Sequence, residues 1–324
     1  MTPRIAVASS LMAGLLVAQP TMAEDYDFEF DVGFSSLNFD GSQTITTNAG
    51  TIFNSNEIET DELSLSGTWY FNGLSDDNGP RARATLVDRA SSLAIGYSQT
   101  DSTFSTVFTS TDPAFPFPPI DSRIDSDDDT FAANFRYVGK DSGWIGSIGL
   151  VTTEVTVGAP INSSFDATGW GLGFGKYIAE NTTLELEISQ VDADGGSDAS
   201  AFGVTFEHLG NFNDQWQYAV DLGYNRVDAD GGPDVDTWRA AVSMYPNRDV
   251  EFGIAIQDGS SDLPGSDSLG FEGFASWFVR PNFKLSARYR VDDVDYLGNV
   301  TVAAPPTGGS ADQDAFGINA TVRF

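Results

Sequence analysis

An aspartate-rich octapeptide occurs twice in the middle of the chain. It reads VDADGGSD at residues 191–198 and VDADGGPD at residues 227–234. Aspartates at alternate positions beside glycine are typical of loops that bind Ca²⁺ through carboxylate oxygens. An EF-hand loop also needs glycine at its sixth position and glutamate at its twelfth. Counted from Asp192, these positions hold Ser197 and Gly203, and the second copy fails in the same way.

A hairpin tip explains the repeat more simply than a metal site. Glycine adopts the positive φ that tight turns require, and aspartate accepts hydrogen bonds from its own backbone. Weak binding of Ca²⁺ or Mg²⁺ remains the alternative, and its ligands would be Asp192, Asp194, Asp228 and Asp230. The chain has no cysteine and one histidine, which excludes disulfides, thiolate sites and zinc sites built on several histidines.

Groups that could act in catalysis are equally scarce. A Ser-His-Asp arrangement needs a histidine, but His208 follows Phe202 and Phe206 on the apolar face of a predicted strand. The carboxylates of Glu185 and Glu187 share one face and could transfer protons, yet such pairs are common on a solvated wall. We therefore predict that the protein is not an enzyme and needs no cofactor.

The elements that carry these residues are β-strands. Between Phe283 and Val291 every second residue is apolar, and the residues between them are polar or charged. This period of two recurs through most of the chain, and no segment has a convincing helical period. Short turns are expected near residues 72–80, 139–143, 179–182, 209–214, 246–249 and 280–282. Longer tips alternate with them near residues 40–56, 100–128, 158–167, 192–199, 228–234, 259–267 and 293–312. These 13 connections imply 14 strands.

The N-terminus and the charge balance narrow the class of protein. Arg4, the mostly apolar run at 5–17 and small residues at 21–23 predict a secretory signal peptide at residues 1–23, followed by one domain at 24–324. The balance of 16 Lys and Arg against 47 Asp and Glu argues against binding nucleic acid. Hydrophobic residues make up 40% of the chain, which excludes a disordered acidic polymer.

The apolar face of such strands could cover the core of a soluble sandwich or face lipid. The barrel is favoured because the chain carries an export signal and its alternating segments reach about 10 residues, which is enough to cross a bilayer. Aromatic residues also gather at both ends of the apolar face, as in interfacial girdles. We predict an all-β fold, a transmembrane antiparallel up-and-down β-barrel of 14 strands, with long extracellular loops and short periplasmic turns.

The C-terminal strand adds a family resemblance. The chain ends in FGINATVRF, with Phe316, Ile318, Ala320, Val322 and Phe324 on one face. This strand resembles the last strand of bacterial outer-membrane β-barrel proteins, and the acidic, cysteine-free composition is similar to that of porins. The resemblance implies residence in the bacterial outer membrane, in contact with lipid and lipopolysaccharide. It also implies recognition of the strand ending at Phe324 by the barrel assembly machinery, and it leaves a homo-oligomer open.

The polar face of the strands predicts a charged, water-filled lumen. Its pore-lining residues are expected to be Asp27, Glu29, Asp31, Arg136, Glu185, Glu187, Arg239, Lys284, Arg288, Arg290 and Arg323. A row of glycines at 169, 171, 173 and 175 shares this face. Together with the resemblance to porins, this face predicts a channel for passive diffusion of ions and small hydrophilic solutes. A non-conducting barrel with a structural or adhesive role is the alternative, and a barrel hydrolase is a third hypothesis.

The tip at residues 100–128 is too long for a simple hairpin cap. Its apolar centre, Phe115 to Ile120, would be unfavourable in water. In porins one long loop folds into the lumen and narrows it, and this segment resembles such a loop in length and position. Exposure at the surface for a partner or a neighbouring subunit is the other interpretation.

Overall fold

The alternating strands close into a single antiparallel barrel. The computed structural model describes residues 25–47, 50–75, 79–110, 120–194, 198–213, 215–262, 267–296 and 307–324. The strands are β1 (Asp25–Thr47), β2 (Gly50–Ser75), β3 (Ser92–Ser110), β4 (Ile120–Val138), β5 (Trp144–Val157), β6 (Ser163–Ala179), β7 (Thr182–Ala193), β8 (Ala199–Asn211), β9 (Gln217–Ala229), β10 (Val235–Asn247), β11 (Val250–Ser261), β12 (Ser268–Arg280), β13 (Phe283–Tyr296) and β14 (Thr307–Arg323). Each pairs with its neighbours in sequence, and β14 pairs with β1. The predicted 14-stranded antiparallel barrel is confirmed, whereas the predicted signal peptide at 1–23 lies outside the described residues.

The period of two places apolar side chains on the outside of the barrel. Leu150, Trp238 and Ile254 are 60%, 59% and 71% exposed, as expected for side chains that meet lipid rather than a protein core. A closed ring also satisfies the backbone hydrogen bonds of every strand, which the interior of a bilayer requires. In the described residues, no helix has the length and apolar character needed to cross a membrane.

The strands differ in length around the ring. The start of β1, the end of β14 and the short turns lie at one end of the barrel, which we call the turn end, and the opposite end is the loop end. Strands β7 to β13 contain 12 to 14 residues, but β1 and β2 contain 23 and 26. The additional residues, about 10 per strand, extend one wall by roughly 33 Å at the loop end.

Much of what the sequence predicts as tips is therefore strand. The expected tip at 100–128 contributes residues 100–110 to β3 and 120–128 to β4, and both segments lie in the wall. Residues 111–119, which include most of its apolar centre, lie outside the described residues. Whether this tip enters the lumen stays a prediction.

The connection between β2 and β3 enters the lumen instead. Its described part, residues 79–91, is called the plug segment below. It contains a 3₁₀ turn (Arg81–Arg83) and a short helix α1 (Ala84–Val87), and Leu86 is only 3% exposed. The prediction of a short turn near 72–80 is therefore wrong, because the connection extends to residue 91. The sequence did not reveal the plug segment, since a helix of four residues is too short to produce a helical period.

The seam between β1 and β14 closes the ring. The Phe324 N–H donates to the Phe28 carbonyl at 2.9 Å, and the Phe324 carbonyl accepts from the N–H groups of Asp27 and Phe28 at 2.9 and 3.2 Å. These two donors on one acceptor form a β-bulge, which reverses the alternation at the start of β1. As a result Tyr26 is buried and Asp27 is exposed, so the alternation that predicts Asp27 as a pore-lining residue is broken at this end.

Deletion of Phe324 should reduce the amount of barrel inserted in the membrane. The deletion removes three backbone hydrogen bonds from the seam and the ring that contacts Phe28 at a centroid distance of 6.3 Å. We expect less heat-modifiable protein in the outer-membrane fraction, measured by gel electrophoresis with and without boiling. The matched control is Phe316→Ala, which removes an outward-facing ring from the same strand and should insert normally. Equal insertion of wild type and the deletion variant would contradict the prediction.

Candidate functional site

An apolar core holds the plug segment inside the turn end. Leu86 belongs to a buried cluster formed by inward-facing residues near the ends of six strands, namely Val138, Ile145, Tyr177, Leu209, Ala219 and Tyr245. Ala84 and Ala90 belong to a second cluster, with Tyr26, Tyr70 and Leu74. These lumenal positions are apolar because they pack against the plug segment rather than against water.

Two arginines fasten the plug segment to nearly opposite sides of the opening. Arg81 forms an ion pair with Asp249, in the turn between β10 and β11. Arg89 donates from Nη1 to the Lys140 carbonyl at 3.0 Å and from Nη2 to the Glu180 carbonyl at 3.4 Å. These carbonyls belong to the turns that follow β4 and β6. The plug segment therefore spans the turn end from one side to the other.

Arg83 anchors the plug segment within the lumen. It forms a bidentate ion pair with Asp221, with 3.0 Å between Nη1 and Oδ1, and its Nε donates to the Tyr245 hydroxyl at 2.8 Å. The Glu207 carboxylate lies 3.8 Å from Nη1. Burial alone lowers the pKa of the Arg83 guanidinium, but its contacts with Tyr245 and Asp221 raise the pKa above its ordinary value. The guanidinium therefore stays charged.

Arg323 and Glu29, both predicted to line the pore, tie the seam to the plug segment. Arg323 Nε donates to Glu29 at 2.6 Å, and Nη2 donates to the Arg81 carbonyl at 3.1 Å. Glu29 also accepts a hydrogen bond from the Tyr70 hydroxyl at 2.6 Å. The Arg323 guanidinium is 4.4 Å from the centre of the Phe278 ring, and the residue is 4% exposed. This pair is a buried structural contact rather than a surface of the pore.

The predicted glycine row lies on β6 and leaves room for an ion pair that runs along the lumenal face of the wall from β4 to β7. Arg136 on β4 pairs with Glu185 on β7, three strands away. A Cβ atom on Gly175 would lie 2.6 Å from Glu185 Cγ, so a larger residue there would displace the carboxylate. Glu187 is exposed and lines a cavity of about 320 Å³ beside Leu86 of the plug segment.

Two of the predicted basic residues are paired within their own region of the wall. Arg239 Nη2 lies 2.9 Å from Glu272 Oε1. Arg290 Nε lies 2.8 Å from the carboxylate of Asp292, and Nη1 donates to Gln257 at 3.1 Å. The positive charges of Arg239 and Arg290 are therefore each offset by a neighbouring carboxylate.

Lys284 and Arg288 have no ion pair in the part of the chain that the structure describes. The Lys284 ammonium is 5.9 Å from the centre of the Phe278 ring. Asp31, which accepts a hydrogen bond from the Thr321 hydroxyl, faces Lys284 without a direct contact. Arg288 is exposed to a cavity of about 450 Å³ that reaches from the wall to Arg83 of the plug segment.

The repeated tips form hairpins that are held by protein groups. Gly231 has a φ of +77°, the left-handed conformation expected of glycine in a tight turn. The Arg226 guanidinium lies 2.8 Å from Asp228 and 2.6 Å from Asp234, and Asp192 accepts from the Gln190 amide at 2.9 Å. Among the described residues, no group of three or more His, Cys, Asp or Glu side chains is arranged to hold a metal ion.

His208 makes structural contacts near the turn end. Its Nδ1 is 2.8 Å from the Thr182 hydroxyl, and its Nε2 is 3.4 Å from the Tyr218 hydroxyl. Neither contact is a carboxylate that could orient the ring for general base catalysis. The arrangement stabilises the strands β7 to β9.

The plug segment contains the functional residues that sequence reasoning missed. The short turn predicted at 72–80 ends before the arginines of this segment, and strand periodicity does not indicate a partner for Asp221 or Tyr245. One signal was available, since Arg81, Arg83 and Arg89 lie within nine residues of a chain whose net charge is −31. Such a concentration of positive charge in an acidic chain indicates a segment that binds acidic groups of the same protein.

The comparisons with known proteins support the fold. No protein-family model matches the chain, and no curated protein matches it. It is similar to the outer membrane protein Omp33 of Acinetobacter baumannii, with 14% identity, 94% of this chain and 100% of that chain covered, and a TM-score of 0.51. It is also similar to the toluene transporter TodX of Pseudomonas putida, with 12% identity, coverages of 96% and 93%, and a TM-score of 0.54. The resemblance to bacterial outer-membrane β-barrels is thus confirmed at the level of the fold.

Replacement of Arg83 should loosen the plug segment without unfolding the barrel. Arg83→Gln leaves the Asp221 carboxylate without its partner, and both side chains are partly buried, at 16% and 18% exposure. We expect a loss of about 2 kcal/mol in local stability, or roughly 30-fold faster amide exchange. Hydrogen exchange of the peptide that covers residues 84–90 measures this change.

The matched control for this experiment is Arg239→Gln. It removes a single-contact ion pair between Arg239 on β10 and Glu272 on β12, two residues of the barrel wall. Exchange of residues 84–90 should stay at the wild-type rate in this variant. Unchanged exchange in Arg83→Gln as well would show that Arg83 does not hold the plug segment in place.

Proposed function

We propose that the protein is a channel in the bacterial outer membrane for the passive diffusion of ions and small hydrophilic solutes. The observation that carries the proposal is the cavity of about 450 Å³ inside the barrel, which is lined by charged, hydroxyl and amide side chains. A barrel of 14 strands is wider than the small barrels that their own wall side chains fill. Unpaired charges such as Arg288 favour water in this space.

The polarity of this cavity favours hydrophilic solutes over hydrocarbons. The structural neighbour TodX is described as a toluene transporter. Here the cavity presents Glu62, Ser64, Arg239 and Arg288, and Phe274 is one of few large apolar side chains on it. An apolar solute would have to displace water from these groups, which is unfavourable.

The plug segment favours a second candidate, a non-conducting barrel with a structural or adhesive role. Two buried apolar clusters and the ion pairs of Arg81 and Arg83 hold it across the turn end. In the channel proposal the same segment limits the size of solutes that pass. The two functions differ in whether ions flow past the plug segment.

The remaining parts of the proposal concern the surroundings of the barrel. We place the turn end in the periplasm and the loop end outside the cell, because the connections at the turn end are the shorter ones. Lipid and lipopolysaccharide would contact the apolar belt, and the barrel assembly machinery would recognise the strand that ends at Phe324. The channel would need no cofactor and perform no catalysis.

Recording of ion currents across planar bilayers tests the proposed function. We expect discrete conductance steps from the purified wild-type protein. The double variant Arg81→Gln, Arg83→Gln should give larger steps, because it removes both ion pairs of the plug segment. Heat modifiability confirms that each protein is folded before it is added. Absence of steps from both folded proteins would favour the non-conducting barrel.

The reversal potential in a KCl gradient should show modest cation selectivity. The loop end carries many aspartates, and their field attracts cations within about 10 Å at 0.1 M salt. Selectivity should weaken as the salt concentration rises. Arg288→Gln should strengthen it, because Arg288 has no ion pair in the described part of the chain.

Arg290→Gln is the matched comparison on the same strand. Its partner Asp292 is 6% exposed, so the carboxylate left behind is largely shielded from solvent in the lumen and selectivity should change less. Anion preference of the wild type at low salt would contradict this distribution of charge.

A further inference from the structure

The larger lumenal cavity presents one positive and one negative group on the same wall. Arg288 on β13 and Glu62 on β2 both line it. Strand register places them in one row, in which Arg288 pairs with Gly317, Gly317 with Ser35, and Ser35 with Glu62. Because neighbouring strands are about 4.8 Å apart, the Cα atoms of Arg288 and Glu62 are separated by roughly 14 Å along the wall.

Glycine on β14 lets the arginine side chain lie along the wall toward the glutamate. A Cβ atom on Gly317 would lie 2.8 Å from Arg288 Nε and 3.2 Å from Arg288 Cγ. From the other side, the Ser35 hydroxyl donates to Glu62 Oε2 at 3.1 Å, which orients the carboxylate. Within the described residues neither charged group has an ion pair. The space between the two charged groups, on the lumenal side of Gly317 and Ser35, is called the gap below.

The wall formed by β4 to β7 shows that an arginine can reach a carboxylate three strands away. Arg136 on β4 reaches Glu185 on β7 across the same number of strands. The row of paired positions from Arg136 runs through Ser147 and Gly173 to Glu187, and Glu185 lies two residues along β7 from the end of that row. There the arginine and the carboxylate form a direct ion pair. Between Arg288 and Glu62 the corresponding space is left open to the cavity.

We propose that this gap is a binding subsite for a small zwitterion, such as a free α-amino acid, on its way through the proposed channel. The ligand carboxylate would accept two parallel hydrogen bonds from the Arg288 guanidinium, the geometry that arginine favours. The ligand ammonium would donate to Glu62. Hydroxyl and amide groups of Ser64, Ser286 and Asn319 line the same cavity and can bind water around the ligand.

Charge outside the cavity also favours a zwitterion over a simple anion. The chain has a net charge of −31, and an acidic mouth repels a lone carboxylate before it reaches Arg288. A zwitterion has no net charge and meets no such barrier. Binding should be weak, because a solute held tightly would not leave the channel.

Equilibrium dialysis of L-alanine against the folded barrel in detergent tests the subsite without requiring conduction. We expect Arg288→Gln and Glu62→Gln each to weaken alanine binding by about tenfold. The matched controls are Arg123→Gln and Glu154→Gln, which make the same charge changes at exposed positions of the loop end and should bind as the wild type does. Acetate and ethylammonium, which each carry one of the two charges, should bind more weakly than alanine.

A variant that keeps both charges tests whether the position of the Arg288 side chain matters for binding in addition to its charge. Gly317→Ala should weaken alanine binding, because its Cβ atom would displace the Arg288 side chain. Equal binding of alanine and acetate, with no effect of Glu62→Gln, would mean an anion site and overturn the proposal. Absence of alanine binding to the folded wild type would also overturn it, even if the barrel conducts ions. Absence of conductance with intact alanine binding would instead contradict the proposed channel.

Discussion

The pairing of β1 with β14 is the interaction on which the rest of the structure depends. A strand edge inside a bilayer would leave backbone groups without hydrogen bonds, and only closure of the sheet removes both edges. Closure at 14 strands also sets the inner width of the barrel. Wall side chains do not fill a space of this width, so water or an additional segment must occupy it. The structure has a plug segment at the turn end and polar cavities beside it.

The distribution of charge follows from the same constraint. Inside the barrel the effective dielectric constant is lower than in water, so isolated charges are unfavourable and most find a partner. Arg83, Arg136, Arg239, Arg290 and Arg323 each form an ion pair with a carboxylate. These pairs stiffen the wall and fasten the plug segment. Arg288 differs from them because the space around it is open to a cavity, where water or a solute can satisfy the guanidinium.

Local pattern was sufficient to predict the wall of the barrel. Strand parity depends only on the alternation of side chains, so the sequence predicted the outward face of β13 and the number of strands. Glu187 and Arg288, two of the residues predicted to line the pore, line cavities inside the barrel. The lengths of β1 to β4 were underestimated, because polar residues of a strand that leaves the bilayer resemble those of a loop. The bulge at Asp27 and Phe28 was missed, since a local irregularity of strand pairing leaves no mark in the composition.

By itself, therefore, the sequence determined the strand count, the direction of the side chains and the terminal strand that closes the ring. Only the tertiary structure decided what lies inside. The plug segment was invisible to periodicity because α1 has four residues and is stabilised by side chains from six distant strands. The partners of Arg83, Asp221 and Tyr245 were undetermined for the same reason. Such contacts depend on register and on closure of the ring, which bring together residues more than a hundred positions apart.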